Sequence, residues 1–109
     1  MVTPTFNPAV CLWGYYPIVA KPTIRQGSTG GAVGYLQGVL KCRSGQPLNP
    51  SANGPWSFTS STKTAVRNFQ AFWGLTVDGV VGPQTWPLID WASQGFPTPW
   101  PSSTAFAGF

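Results

Sequence analysis

The sequence predicts an all-α fold, a small closed bundle of three helices with an extended N-terminal arm and an extended C-terminal tail. Three observations carry this. Thr62, Ala65, Val66, Phe69, Phe72 and Trp73 follow the i, i+3, i+4, i+7 rule and so share one helix face. The pattern also occurs upstream. Ala32-Val33-Gly34-Tyr35-Leu36-Gln37 aligns with Ala65-Val66-Arg67-Asn68-Phe69-Gln70 at an offset of 33 residues (65 − 32). Both copies keep Ala-Val-x-x-apolar-Gln. Finally, Gly74, Asp78-Gly79 and Gly82-Pro83 punctuate the chain as a helix stop, a turn and a helix start. Two copies are too few for a stacked solenoid, so one compact bundle is expected.

The elements follow in order. Residues 1–21 hold Thr3-Pro4, Asn7-Pro8 and Trp13-Gly14-Tyr15-Tyr16-Pro17. These prolines and the glycine forbid a long helix. An extended arm is expected, with Leu12, Trp13, Tyr15, Tyr16 and Ile18 packed onto the domain, since burying each large side chain is worth about 1.5–3 kcal/mol. Ser28 or Thr29 suits the cap of helix one, whose body is Ala32 to Cys42 with Val33, Leu36, Val39 and Leu40 on one face. Gly34 and Gly38 weaken that helix by about 1 kcal/mol each against alanine, and permit close approach of another backbone. Lys41 and Arg43 suit the negative end of its dipole. Residues 44–61 form a loop in which Trp56 is favoured as a core plug over an exposed contact. Helix three is expected from Pro83, carrying Trp86, Leu88, Ile89 and Trp91. Pro87 makes it short, kinked or later in starting. In residues 93–109, Pro97, Pro99 and Pro101 alternate with Thr98 and Trp100, which favours an extended polyproline-like strand. Phe96, Trp100, Phe106 and Phe109 are anchors for docking on the domain or on a partner protein.

The run from Thr62 to Trp86 resembles the peptidoglycan-binding domain found at the ends of bacterial cell-wall hydrolases and in phage proteins. That family carries T-x-x-A-V-x-x-F-Q-x-x-x-G-L-x-x-D-G-x-x-G-x-x-T-W. Here Thr62, Ala65, Val66, Phe69, Gln70, Gly74, Leu75, Asp78, Gly79, Gly82, Thr85 and Trp86 match in register. A looser match reaches back to Pro22, where Lys21-Pro22-Thr23-Ile24-Arg25-Gln26-Gly27 resembles the family's proline-led strand. Three regions are therefore expected: an arm (1–21), a peptidoglycan-binding-like domain (22–92) and a tail (93–109). The departure lies in residues 44–61. The family's D-G-x-F-G turn is missing there, Asn53-Gly54 is its remnant, Phe58-Thr59 stands where F-G belongs, and about two residues are extra.

Composition sets further bounds. With 7% charged, 15% aromatic and 42% hydrophobic residues, the chain is a packed domain whose surface rests on neutral polar groups. Its net charge of +4 comes from Lys21, Arg25, Lys41, Arg43, Lys63 and Arg67 against Asp78 and Asp90. These cations are few and spaced, which argues against nucleic acid but suits an anionic cell wall. Cys11 and Cys42 fit no zinc pattern. They are either two buried thiols or, the favoured reading, a disulfide closing a 31-residue separation (42 − 11). No stretch is long and apolar enough to span a membrane, and no basic leader precedes the apolar run from Ala9 to Ala20. Release by lysis, and hence an extracellular or virion location, is the expectation. An engineered start methionine on a secreted domain would look the same.

Catalysis is poorly provided for. The chain has no His and no Glu, which excludes Ser-His-Asp and Cys-His arrangements and the common His-ligated zinc sites. Glycoside hydrolysis would have to rest on Asp78 and Asp90, and Asp78 has a turn to hold. No metal or cofactor is expected. The resemblance implies a ligand groove between helices and nominates Tyr35, Gln37, Gln70, Trp73 and Trp86. Each also has a plain structural reading: the glutamines bond a following loop, and Trp86 fills the core. Tyr35 and Trp73 flank the buried stripes and are expected to be exposed. Asp78, Gly79 and Gly82 are assigned to the turn. The expected function is non-catalytic attachment to peptidoglycan on a bacteriophage virion, with Phe96–Phe109 available to other virion proteins. The alternatives are a decoration protein that keeps the fold without the ligand, and the targeting module of a lytic hydrolase.

Overall fold

The computed structural model describes residues 6–14 and 16–95. Tyr15 and the docking expected of residues 96–109 lie outside them. Three helices form the body: α1 (Gly31–Ser44), α2 (Ser60–Phe72) and α3 (Trp86–Ser93). Among the described residues the only sheet-like pairings are isolated bridges. One of these joins Ile24 to Val81 by reciprocal backbone bonds of 3.0 and 2.9 Å.

The arm is folded more tightly than an extended strand. Asn7-Pro8 and Tyr16-Pro17 each begin a 3-10 turn, Pro8–Val10 and Tyr16–Ile18. The proline ring fixes φ near the value such a turn needs, so the residues that forbid a long helix start a short one. Asn7 caps the first turn, its Oδ1 accepting from the Ala9 N–H at 3.1 Å. Trp13 is buried and its indole N–H donates to the Ser93 carbonyl at 3.0 Å, tying the arm to the end of α3. Cys11 and Cys42 are joined in a disulfide that ties it to α1. Leu12 and Ile18, expected to pack, are exposed.

Helix α1 is the centre of the molecule. All eight residues from Val33 to Leu40 are buried, not just one stripe. The expected solvent face is covered because the arm lies on Gly38 and Trp56 lies on Gly34. A Cβ built at Gly38 would fall 2.8 Å from the Pro8 ring, and one at Gly34 would fall 2.5 Å from the Trp56 indole. The start of α1 corrects the sequence reading. Gly30 is the cap residue, its N–H bonded to the Trp56 carbonyl at 3.1 Å, while the Ser28 hydroxyl accepts from the Arg25 N–H instead. Gly45 ends the helix in the left-handed conformation, φ 67°, with the Gln46 N–H returning to the Leu40 carbonyl.

Helix α2 is amphipathic as expected. Thr62, Ala65, Val66, Phe69 and Gln70 are buried, and Thr59 caps its start. Phe72 departs from the stripe and is 78% exposed. At 100° per residue it stands about 80° round from Thr62 and about 120° from Val66, on the rim of the apolar face. Gly74, at φ 74°, ends the helix, and the Leu75 N–H bonds back to the Gln70 carbonyl at 2.8 Å. Helix α3 begins three residues later than Pro83. Residues 83–85 make a turn, with the N–H groups of Thr85 and Trp86 both bonded to the Gly82 carbonyl at 3.0 Å. Pro87 therefore falls in the first turn of α3, where its missing N–H disturbs nothing. Leu88, Ile89 and Ala92 of α3 then join Leu36, Phe58 and Phe69 in one core cluster.

Candidate binding surfaces

Gln37 and Gln70 hold the connectors in place. Gln37 Nε2 donates to the Ser57 carbonyl and the Thr62 hydroxyl, both at 2.9 Å. Gln70 Nε2 reaches the Val80 carbonyl at 2.9 Å, the Thr85 hydroxyl at 3.2 Å and Asp78 Oδ1 at 3.0 Å. Its Oε1 accepts from the N–H groups of Asp78 and Gly79 at 3.2 and 3.0 Å. Asp78 Oδ1 also accepts from the Val80 N–H at 2.9 Å, and Gly79 is buried at φ 73°. The turn assignment of Asp78 and Gly79 thus has its geometry, and the Gly82 carbonyl starts α3. Each glutamine bonds a connector carbonyl and a threonine hydroxyl at or near the start of the next helix.

The furrow between α1 and α3, bordered by Tyr35 and Trp86, is occupied by the chain itself. Tyr16 stacks on Tyr35 at 5.3 Å, and Trp13 meets Tyr35 edge-on at 6.1 Å. Tyr35 in turn stacks on Trp86 at 6.0 Å. Lys21 Nζ lies 5.3 Å and 5.4 Å from the centres of the Tyr35 and Trp86 rings. It also donates to the Tyr16 and Val19 carbonyls and pairs with Asp90 at 3.3 Å. The Tyr35 hydroxyl donates to Asp90 Oδ1 at 2.6 Å. Burial is the chief cause that raises the pKa of both Tyr35 and Asp90 above their ordinary values, disfavouring their charged forms. For Asp90 the bonds from Tyr35 and Lys21 act the other way.

The ligand residues nominated from sequence are therefore mostly interior. Tyr35, Gln37, Gln70 and Trp86 are none of them more than 8% exposed. The expected exposure of Tyr35 is corrected, because the arm covers its side of α1. The Trp86 indole N–H donates to the Pro22 carbonyl at 2.9 Å. Trp73 alone of the five is half-buried, in an aromatic group with Phe72 and Trp91 at 5.0 and 5.4 Å. The cations are redistributed too. Lys21 is internal, Lys41 donates to the Ala9 carbonyl at 2.9 Å and Arg43 lies over the Trp13 ring. Half of the six positive charges thus contact the arm, Arg43 while remaining exposed.

Clefts open on the surface of the described residues. One of about 410 Å³ lies between the loop after α1 and the start of α2, lined by Pro47, Asn49, Ser51, Trp56 and Ser61 among others. A second, of about 430 Å³, borders the Asp78–Gly82 turn, with Thr23, Thr76 and Gln84. A third, of about 300 Å³, is bounded by Lys21, Pro83, Pro87 and Asp90. Sequence reading marked the loop as a departure from pattern but did not see it as a wall of a cleft. Lys21 offered no signal, since its partner Asp90 is 69 residues away (90 − 21). Among the described residues no three His, Cys, Asp or Glu side chains cluster, and no helix is long and apolar enough to cross a membrane.

Helix, clasp, helix, clasp, helix: the geometry defines a small duplicated three-helix module with shallow surface clefts. Residues 29–89 match the family model described as a putative peptidoglycan binding domain, and the chain belongs to that family. The family is a non-catalytic binding domain. The chain is 36% identical over 93 residues to an uncharacterised protein in the bpoA1 3′ region of Kitasatospora aureofaciens, covering 85% of this chain and 75% of that one. It is 38% identical over 67 residues to a zinc D-Ala-D-Ala carboxypeptidase of Streptomyces albus G, covering 62% of this chain and 26% of the enzyme. The crystal structure of a Burkholderia AP3 phage endolysin superposes with a TM-score of 0.55 at 38% identity, over 72% of this chain and 27% of the endolysin. The chain thus spans about a quarter of the carboxypeptidase and of the endolysin.

Proposed function

We propose that this chain is a non-catalytic anchor for bacterial peptidoglycan, carried on a bacteriophage virion and acting outside the host after release by lysis. The observation that carries the reading is the family match across residues 29–89, with both glutamine clasps formed within it. Kinship with a module of a phage endolysin supports the phage setting. Ligand contact falls to groups bordering the open clefts, while Gln37, Gln70 and Trp86 hold the cleft walls. The Phe96–Phe109 tail is proposed to dock on other virion proteins through its aromatic anchors.

Two other readings have a specific observation each. The matches to about a quarter of a zinc D-Ala-D-Ala carboxypeptidase and of a phage endolysin favour the targeting module of a hydrolase. The arm-filled furrow favours a decoration protein that keeps the fold alone. Sedimentation with insoluble wall sacculi at about 0.1 M and about 1 M salt separates binder from scaffold, since the screening length falls from about 10 Å to about 3 Å. Pelleting at both salt levels supports the proposal. Loss at high salt reduces it to charge attraction, and no pelleting at all leaves a scaffold. Stoichiometric presence in purified virions separates virion part from lysis enzyme.

A further inference from the structure

We infer that the cleft beside the loop after α1 is a saccharide subsite, taking an uncharged N-acetylated stretch of the glycan strand rather than a stem peptide. The inference rests on the peptidoglycan reading and names the part of the polymer that is held. In the furrow between α1 and α3 the chain's own Tyr16 and Lys21 cover the Tyr35 ring, and what stays open beside Trp86 is the third cleft. The three clefts described above differ in charge. The turn cleft presents Asp78, and the third presents Lys21 and Asp90. The loop cleft is lined by no Asp, Glu, Lys or Arg.

That difference discriminates between the two halves of the polymer. Stem peptides carry free carboxylates, which a site recognises with a cation or with an array of charge-assisted donors. The glycan offers hydroxyls, acetamido groups and apolar ring faces, which suit neutral amides, hydroxyls and an aromatic ring. The loop cleft supplies these. Asn49, Ser51 and Ser61 are exposed on its rim, and Trp56 and Pro47 line it. The Trp56 indole is fixed in advance. Its N–H donates to the Ser51 carbonyl at 2.8 Å, and the missing side chain of Gly34 lets the ring lie against α1. A ring already immobilised loses little further freedom when a sugar meets it. The cleft's 410 Å³ falls within the range of about 300–1,000 Å³ typical of small-ligand sites. It is also built from the stretch that departs from the family pattern, so the subsite belongs to this chain.

The test is titration of the isotope-labelled full chain with tri-N-acetylchitotriose and, separately, with a synthetic stem tetrapeptide. Proton–nitrogen correlation spectra follow Trp56 Nε1, the Asn49 side-chain amide and the backbone of Gly79 and Gln84. The expected result is saturable movement of the Trp56 and Asn49 signals with the sugar at millimolar concentration, and none with the peptide. Ser51→Glu, which places charge and bulk on the rim, is expected to weaken the sugar by about tenfold while the remaining spectrum stays in place. Movement confined to Gly79 and Gln84 would overturn the inference, as would peptide-driven movement at Asn49. So would silence at about 10 mM sugar from a protein that still pellets with sacculi. A protein that fails to pellet defeats the binding reading itself, so the two failures are distinguishable.

Discussion

The two copies of Ala-Val-x-x-apolar-Gln are alike on the side that faces a connector and unlike on the back. On the facing side each glutamine Nε2 spans a carbonyl and a threonine hydroxyl five residues further on, Ser57 and Thr62 in one copy (62 − 57), Val80 and Thr85 in the other (85 − 80). On the back, Gly34 and Gly38 of the first copy correspond to Arg67 and Ala71 of the second, at the same offset of 33. Arg67 and Ala71 face solvent, whereas Trp56 and Pro8 press on the two glycines. Duplication thus set the clasp, and wrapping of one copy by arm and loop set the glycines. The connectors diverge as well. Residues 45–59 make 15 between α1 and α2, and residues 73–85 make 13 between α2 and α3. The longer connector lacks the Asp-Gly turn and forms a cleft wall. The shorter one keeps the turn, and Gln70 gains three further bonds from it.

The comparison can be broken most forcefully at the wrapping. Replacing Cys11 and Cys42 together by serine is expected to lower stability by about 3–4 kcal/mol, the chain entropy of a loop near 31 residues. Urea unfolding reads this directly, and a loss well below that would mean the arm holds without its covalent tie. The clasps come next. Gln70→Ala leaves the Gly79 N–H and the Val80 carbonyl unsatisfied and is expected to cost about 3 kcal/mol. Gln37→Ala is expected to cost about 1–2 kcal/mol. Equal losses would show that the Asp-Gly turn adds nothing to the second clasp.

The glycine positions sharpen the contrast further. Gly38→Ala is expected to destabilise by about 1–3 kcal/mol, because the new methyl meets Pro8 backbone as well as ring. At the equivalent solvent-facing site, Ala71→Gly is expected to cost about 1 kcal/mol through helix propensity alone. Thermal unfolding of the two variants checks that alanine is unwelcome in one copy and preferred in the other.

The smallest effect is one of pH. Burial lifts Asp90 above the ordinary carboxylate value, so the folded chain keeps this proton to higher pH than the unfolded chain. The folded state then binds more protons in the window between the two values, and the stability contributed by this group falls as pH rises through it. Asp90→Asn is expected to flatten that segment of a stability–pH curve. An unchanged slope would mean that the bonds from Tyr35 and Lys21 cancel the burial.

Much of this was legible in the residues. The helical spacing from Thr62, the stop at Gly74 and the Asp78-Gly79 turn are local signals, and each appears in the fold. Helix three illustrates the limit. Pro83 and Pro87 are both acceptable in a first turn, and only the bonds to the Gly82 carbonyl decide between them. The site was harder to see. Periodicity marks Tyr35 as off the apolar stripe but says nothing of an arm that will cover it. Lys21 reads as a surface cation until α3 brings Asp90 to it. Long-range wrapping, not local propensity, decided which aromatic and polar groups remain outside.

The most direct test of wall attachment is the fraction of the full chain that pellets with purified sacculi in about 1 M salt with excess polyglutamate present. At that ionic strength attraction between exposed charges is largely screened. The predicted result is retention in the pellet, with release by soluble N-acetylated glycan fragments. A chain that stays in the supernatant, or that polyglutamate alone displaces, would contradict the account.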